Sequence, residues 1–245
     1  MNVLQKQSIA EMKRVLRNKY FVLWSLIMPI AFYYFFTNVV NTNVPDQRAW
    51  EAHYLMSMTV FSVMGSSIMT LGIRMVQERS QGWAAFIRLT PLPDHIYLSA
   101  QMIGQSVIHV LSITVIFLFG AIINDIALSP FEWMMSGLWI LFGALPFLAL
   151  GTLIGLMRKV ETAAGISNVL YMLLALGGGM WMPFEVMPDM MQSIGQWLPS
   201  YHFGSGAWEL VRGGSPTWKN ILILIAYMML FMLLSKYIRR KQEAV

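Results

Sequence analysis

The sequence predicts an all-α membrane protein with six transmembrane helices, and three observations support that fold class. Apolar residues make up 57% of the 245 residues and charged residues only 12%, about half the charged share of a soluble domain. Mean hydropathy is +0.57, and uncharged runs of spanning length recur along the chain. A soluble protein of this composition would expose large apolar patches, so most soluble classes are excluded, and the same composition excludes disorder.

Six apolar segments, five of them free of Asp, Glu, Lys and Arg, are candidate transmembrane helices. They cover residues 20–40, 52–73, 99–123, 134–157, 162–182 and 218–237. The last has an uninterrupted apolar core of 221–235 and reaches spanning length only with Trp218 and Tyr237 as interfacial anchors. Together the segments form one transmembrane domain, residues 20–237.

The distribution of basic residues predicts that both termini are cytoplasmic. With this orientation 14 of the 17 Lys and Arg residues lie inside, and only Arg48, Arg212 and Lys219 lie outside. Residues 238–245 are then a cytoplasmic tail. The first apolar run is longer than that of a signal peptide and has no cleavage site, so we expect it to be retained. The net charge of +5 therefore reflects orientation and cytoplasmic headgroups, and no nucleic-acid partner is expected.

Residues 1–19 precede the first span and predict an amphipathic interfacial helix. Ile9 and Met12 recur with other apolar residues near helical spacing, while Lys13, Arg14 and Arg17 occupy much of the remaining circumference. Such a helix would lie along the cytoplasmic surface with its cations near anionic headgroups. The alternative is a positively charged flank that only sets the orientation of the first span.

The cytoplasmic loop 74–97 contains a second short amphipathic pattern. Trp83, Phe86 and neighbouring apolar residues suit a short helix that ends before Pro91 and Pro93. An apolar and charged helix that projects from a membrane domain is suited to docking a soluble partner. A connector lying along the membrane fits the spacing equally well.

The segment 183–217 before the last span is apolar although it faces the outside. Three prolines, Pro183, Pro188 and Pro199, divide it, so it cannot form one helix. Residues 188–198 predict an amphipathic helix, and the whole segment predicts a re-entrant or interfacial helical hairpin. We therefore expect an external gate formed by Pro183, Pro188, Trp197 and Pro199.

Chemical motifs are scarce, and the chain is not expected to be an enzyme or to bind a cofactor or metal. It has no cysteine and no phosphate-binding or His-Glu-x-x-His motif. His109 is the only ionisable group deep inside a predicted span, and a neutral histidine hydrogen-bonded across helices is the simplest interpretation. A membrane enzyme using His109 with Ser106 or Ser112 lacks an acidic partner. An ion-coupled transporter lacks a carboxylate within the spans.

Small and kink-forming residues occur within the spans. Pro29 and Pro146 each remove one backbone hydrogen bond and predict kinks in the first and fourth spans. Gly151 and Gly155 form one Gly-x-x-x-Gly pair, which permits close helix approach. The pair suits packing inside the subunit and a dimer interface equally.

Two motifs carry a resemblance to a known family. In the first motif, Glu78-Arg-Ser-Gln-Gly82 is followed by Leu89-Thr-Pro-Leu92. In the second, Gly179, Pro183 and Pro188 precede Trp197-Leu-Pro199. With six spans and a basic amphipathic N-terminus, the chain resembles the membrane subunit of ABC-2 exporters over essentially its whole length. The second motif is the more specific of the two.

The resemblance implies a permease that is driven by a separate ATPase subunit, which holds the ATP and Mg. Residues 77–90 would form a coupling helix for that ATPase, and two six-span subunits would pair as a homodimer or a related heterodimer. It implies a multi-pass protein of the bacterial plasma membrane, surrounded by lipid, that exports a hydrophobic or amphiphilic substrate such as a drug, antibiotic or lipid. The expected coupling residues are Glu78, Arg79, Gln81, Gly82, Phe86, Arg88 and Pro91. The expected substrate path along spans one, two and five comprises Tyr33, Tyr34, Phe61, Met64, Tyr171 and Met172.

Overall fold

A computed structural model describes residues 3–17, 19–40, 44–82, 89 and 93–243. Within these ranges all regular elements are helices. The first half contains α1 (Val3–Arg17), α2 (Lys19–Phe35) with a π-helical extension (Phe36–Val40), α3 (Gln47–Gly65) with a π-helical turn (Ser66–Leu71), α4 (Gly72–Ser80) and α5 (Asp94–Ile123). The second half contains α6 (Pro130–Gly143), α7 (Leu145–Ile154), α8 (Val160–Gly177), a 3₁₀ turn (Phe184–Val186), α9 (Asp189–Gly195), α10 (Pro199–Val211) and α11 (Trp218–Glu243).

Five helical stretches in the described ranges are long and apolar enough to cross a membrane. They are Gln47–Ser80, Ile96–Ile123, Pro130–Ile154, Val160–Gly177 and Trp218–Gln242. The first predicted span contains the shorter apolar stretch Leu26–Val40. The protein is therefore a multi-pass helical membrane protein, while the sixth span and the orientation of the termini stay predictions.

Local sequence signals account for where several helices begin. Asp46 caps α3, since its side chain accepts a hydrogen bond from the Ala49 amide at 3.0 Å. Ser129 and Glu132 form a reciprocal capping box at the start of α6, with Pro130 in the first turn. These caps satisfy amide groups that would otherwise lack acceptors at the helix ends.

The fourth predicted span is broken near its middle. It consists of α6, which ends at Gly143, and α7, which begins at Leu145, with Pro146 in the first turn of α7. Proline has no amide hydrogen to donate to the preceding turn, so the interruption lies where the sequence predicts a kink. Ala144 between the two helices keeps right-handed helical dihedrals, with φ −71° and ψ −22°. Pro29, in contrast, lies inside the continuous helix α2.

The second span forms the centre of the core and the last span lies at its edge. In the most apolar window of Gln47–Ser80, 89% of residues are buried, against 6% for Trp218–Gln242. The residues of α3 from Ala52 onwards are all buried. A helix that is apolar on all sides and enclosed by other helices is a core helix, whereas α11 presents most of its surface to the surroundings.

The Gly-x-x-x-Gly pair packs within the subunit, which decides between the two interpretations left open by the sequence. A Cβ atom on Gly151 would collide with the backbone carbonyl of Ser67, and one on Gly155 would lie 2.8 Å from Cβ of Met75. A Cβ on Gly72 would in turn lie 3.1 Å from the Gly151 carbonyl oxygen. These three glycines form a close seam between the second span and α7.

The segment between α8 and α11 contains a buried helix that follows the predicted one. α9 covers only Asp189–Gly195 of the predicted helix 188–198, whereas α10 is longer and mostly buried. Trp139 on α6 donates its indole N–H to the Phe203 carbonyl at 2.9 Å. Trp208 donates to Ser57 Oγ on α3, also at 2.9 Å. These two bonds fix α10 among the spanning helices.

Candidate functional site

A buried polar network lies where the second span reaches the loop. The Glu78 carboxylate is 3% exposed. One oxygen lies 3.0 Å from Arg14 Nη1 and 3.7 Å from Arg74 Nε, and the other accepts hydrogen bonds from Tyr97 Oη at 2.8 Å and Gln101 Nε2 at 3.0 Å. A buried carboxylate requires such compensation because its desolvation is costly.

The network joins three helices that are separate in sequence. Glu78 comes from α4, Arg14 from α1, and Tyr97 and Gln101 from α5. α1 packs along α5, and a Cβ on Gly104 would lie 2.9 Å from Cβ of Glu11. The amphipathic helix is therefore docked by close packing and by an ion pair to the base of the loop.

Glu11 is a second buried carboxyl group in this network, with an exposed fraction of 2%. Gln7 donates a hydrogen bond to one of its oxygens at 3.1 Å. Burial, together with the negative charge of Glu78, raises the pKa of Glu11 above its ordinary value, although Arg74 and Arg14 oppose the shift. Folding therefore favours the protonated form of this carboxyl group.

We expect Glu11→Gln to stabilise the docked α1 at neutral pH. A carboxyl group with a raised pKa contributes most to stability below its unfolded pKa, and that contribution is lost as pH rises through the folded value. The variant stays neutral, so its advantage should be present at pH 7 and should disappear below the ordinary pKa of glutamate, about 4.3. Detergent unfolding curves at several pH values measure the difference.

Glu161→Gln is the matched control for this prediction. Glu161 is an exposed carboxylate in the first turn of α8, where a negative charge favours the helix. Its removal should leave stability unchanged or lower it slightly at pH 7. A Glu11→Gln variant that is less stable than the parent at pH 7 would contradict the assigned pKa direction.

The structure divides the predicted coupling residues into three groups. Glu78 is enclosed within the chain, so the geometry supports a positioning role rather than direct contact with a partner. Arg79 is directed back to the bundle, where it donates to the carbonyls of Leu156, at 3.2 Å, and Gly155. Gln81 and Gly82 are exposed at the end of α4, with Gly82 at a φ of +77°. Phe86, Arg88 and Pro91 lie outside the described residues.

A second feature is an apolar cleft between α2, α3 and α8. Its volume is about 370 Å³. Phe61 and Tyr171 stack with ring centroids 4.7 Å apart in its wall, and Tyr171 donates to the Phe61 carbonyl at 3.2 Å. Met172 and Trp181 also line it, and Asn168 adds an amide group. The cleft can hold an apolar molecule with one or two polar groups.

Three of the six predicted path residues, Phe61, Tyr171 and Met172, line this cleft. Tyr33 and Met64 instead lie in the core with no exposed surface, and Tyr33 accepts a hydrogen bond from Asn124 at 2.8 Å. Tyr34 is 47% exposed on α2. Tyr33 and Met64 therefore lie on the predicted spans, but their side chains face the core and not the cleft. A helix that is apolar on all sides has no periodicity to show which side is enclosed.

The predicted gate residues lie at the joints of the segment before α11. Pro183 and Pro188 directly precede the 3₁₀ turn and α9, and Pro199 begins α10. Trp197 is 63% exposed, with Lys219 Nζ 5.8 Å from its ring centroid. The prolines thus separate short rigid pieces, and Trp197 stands at the surface between α9 and α10.

His109 forms the hydrogen bond across helices that the sequence predicts. Its Nε2 lies 3.1 Å from Ser67 Oγ in the π-helical turn of the second span. One turn away, Gln105 donates to the Ser66 carbonyl at 3.3 Å, so both side chains support the irregular backbone of that turn. Ser106 donates to a carbonyl of its own helix. No cluster of three or more metal-ligating side chains occurs in the described part of the chain.

Comparison with known protein families assigns the chain to a family. The family model described as ABC-2 family transporter protein matches residues 47–237, which is well over half of the chain. The protein belongs to the ABC-2 transporter family. It is thus the membrane component of a transport system, and the resemblance noted in its motifs is confirmed. The match begins at the first residue of α3 and includes the loop, the cleft residues of α3 and α8, and α10.

Sequence reasoning missed several residues of this ABC-2 protein. Glu11 was not singled out, although an acidic residue in a basic amphipathic helix is a signal for a buried partner. Asn168 is a polar residue within an apolar span, which is also a usable signal. Trp181 gave no sequence signal for a role in the cleft, because aromatic residues near the end of a span are common as interfacial anchors.

Proposed function

We propose that this chain is the permease subunit of an ATP-driven exporter, and that two copies, or one copy and a related permease, enclose the pathway. The single observation that carries the proposal is family membership across residues 47–237. The cleft between α2, α3 and α8 supports a hydrophobic or amphiphilic substrate, since aromatic and methionine side chains adapt to varied apolar shapes. The proposed site is the plasma membrane of a bacterial cell.

The energy source in this proposal is a separate ATPase that binds ATP and Mg. Its docking surface is the loop after α4, including exposed Gln81 and Gly82 and the predicted helix that continues to residue 90. Glu78 and Arg79 support this surface from behind, because both bind groups of the same chain. Movement of the loop would therefore reach α1 and α5 through Glu78 and α7 through Arg79, which favours alternating access by helix tilting.

Affinity purification of the intact protein from host membranes tests the proposal. We expect an ABC ATPase to co-purify, with hydrolysis stimulated by amphiphilic dyes in reconstituted vesicles. A protein that purifies without an ATPase and transports under an ion gradient would overturn the assignment and favour a secondary transporter.

Gly82→Val should uncouple the ATPase. Gly82 has a φ of +77° with no atom within 4 Å of an added Cβ, so the main cost of valine is the left-handed backbone, about 1–2 kcal/mol. If docking requires that backbone, ATPase recovery should fall roughly 5- to 30-fold. Pull-down against a titrated ATPase concentration measures the change.

Gly213→Val provides a matched control. Gly213 has a φ of +79° and equally open surroundings, but it lies between α10 and α11, at the opposite end of α11 from its basic tail. The same backbone strain there should leave ATPase recovery unchanged. Equal losses in both variants would assign the effect to general destabilisation and contradict a docking role for the loop.

A further inference from the structure

The cleft between α2, α3 and α8 has a wall without ionic charge. Among the described residues that line it there is no Asp, Glu, Lys, Arg or His, and its polar side chains are serine, threonine, asparagine, tyrosine and tryptophan. An ion that entered the cleft would lose hydration without gaining a counter-charge, which is costly. The wall therefore favours an uncharged ligand, and its few polar groups are what can distinguish one apolar ligand from another.

Trp181 contributes a hydrogen-bond donor to this wall. Its ring packs edge-to-face against Phe32 and Phe61, with centroid distances of 6.1 and 6.0 Å. These two contacts hold the indole plane in place. Its Nε1 atom is buried, and the described part of the chain offers it no acceptor. Because an indole N–H can only donate, a ligand with an acceptor group at this position would remove the cost of leaving it unpaired.

Thr70 contributes a second unpaired group, since its buried hydroxyl has no partner among the described residues. A helical threonine commonly donates to the carbonyl four residues earlier, as Thr59 does at 2.7 Å. Thr70 lies in the π-helical turn of the second span, where that spacing is changed, and the Ser66 carbonyl accepts from Gln105 at 3.3 Å instead. The irregular backbone therefore leaves this hydroxyl available to a ligand.

The two unpaired groups lie far apart along the cleft. Trp181 packs against Phe61, and Thr70 follows Phe61 by nine positions in the same helical stretch, a rise of roughly 13 Å. We propose that Thr70 and Trp181 select the substrate of this cleft, an uncharged, elongated apolar molecule with hydrogen-bond acceptors near both ends. The inference rests on the proposed function and narrows its substrate class. Because neither atom is exposed to solvent, binding includes a small outward movement of the cleft wall.

Steroids provide rigid probes for the test. Progesterone has a ketone at each end of its apolar ring system, and the hydrocarbon pregnane has none. Binding of both tritiated probes is measured on the purified full-length protein in one detergent, and the ratio of the two affinities is compared between variants. Thr70→Val keeps the shape and removes the hydroxyl, so this ratio should fall roughly 3- to 10-fold. Trp181→Phe should lower it by a similar factor, and it tests the proposal independently if Thr70→Val does not fold.

Thr59→Val and Trp50→Phe are the matched controls. Thr59 is a buried threonine of the same span, and Trp50 has a buried indole Nε1 without an acceptor in the described part of the chain. Neither lines the cleft, so each variant should keep the affinity ratio within about twofold of the parent value. A second pair of probes tests charge: the methyl ester of testosterone hemisuccinate should bind at least about tenfold more tightly than the free carboxylate.

Four outcomes would overturn the proposal: no saturable binding of progesterone, an unchanged affinity ratio in both Thr70→Val and Trp181→Phe, equal losses in the control variants, or equal affinity for the carboxylate and its methyl ester. These measurements use the permease alone, without ATPase or nucleotide. The exporter proposal is tested separately by recovery of an ATPase from host membranes, so the failure of one proposal is distinguishable from the failure of the other.

Discussion

Glu78→Ala should lower the free energy of unfolding by about 3–5 kcal/mol, because it removes a buried carboxylate that is the counter-charge of the partly buried Arg74. Arg74 lies 3.7 Å from the carboxylate, and Tyr97 and Gln101 lose their shared acceptor. Detergent unfolding of the purified protein measures the loss. Because Glu78 also ties α1 to α4 through Arg14, we expect α1 to become sensitive to limited proteolysis in the same variant.

Two comparisons separate the ion network from a general effect of truncation. Glu161→Ala removes an exposed carboxylate from a helix end and should change stability by no more than about 1 kcal/mol. Glu78→Gln keeps the shape and one acceptor, so its loss should be smaller than that of alanine. If Glu78→Ala is as stable as the parent, or if α1 stays protected, the network does not hold the helix in place.

Gly151→Val should be the most damaging change within the apolar core, at about 3 kcal/mol or more. Its Cβ would collide with the backbone carbonyl of Ser67. A backbone group cannot rotate away as a side chain can, so α7 would have to move off the second span. We expect reduced yield of folded protein and a lower unfolding midpoint, measured by fluorescence-detected gel filtration after heating.

Gly165→Val tests whether the position, rather than the residue type, causes the damage. Gly165 is exposed on α8 and has no atom within 4 Å of an added Cβ, so valine there should change stability by less than about 1 kcal/mol. Gly151→Ala should fall between the two valine variants. A harmless Gly151→Val would mean that α7 is not seated against Ser67.

Sequence patterns predicted the parts of the fold that composition controls. Apolar runs marked the regions of the long helices because a bilayer imposes a minimum apolar length, and Pro146 marked the break in the fourth span. The boundary of the second span was less accurate. Arg74 and Glu78 looked like loop residues, yet the helix continues to Ser80, because each charge finds its partner inside the protein.

The candidate site was harder to predict for the same reason. Choosing the correct spans for the cleft required only the family resemblance, but choosing Tyr171 over Tyr33 requires knowing which helix faces are enclosed. Side chains on an all-round apolar helix give no such signal. The buried helix α10 was also missed as a core element, since its glycines, Gly204 and Gly206, mark close packing only once the aromatic neighbours are known.

The helical stretch Gln47–Ser80, which includes the π-helical turn, is longer than the membrane is thick, and its length determines how far its ends would move if it tilted. Its 34 residues extend over roughly 50 Å, whereas the hydrocarbon core of a bilayer is about 30 Å thick. In the proposed transport cycle, a tilt of this stretch would act on arms of roughly 25 Å on each side of its midpoint. A tilt of about 10° displaces the tip near Gly82 by roughly 4 Å, while the Phe61 end of the cleft, close to the fulcrum, hardly moves.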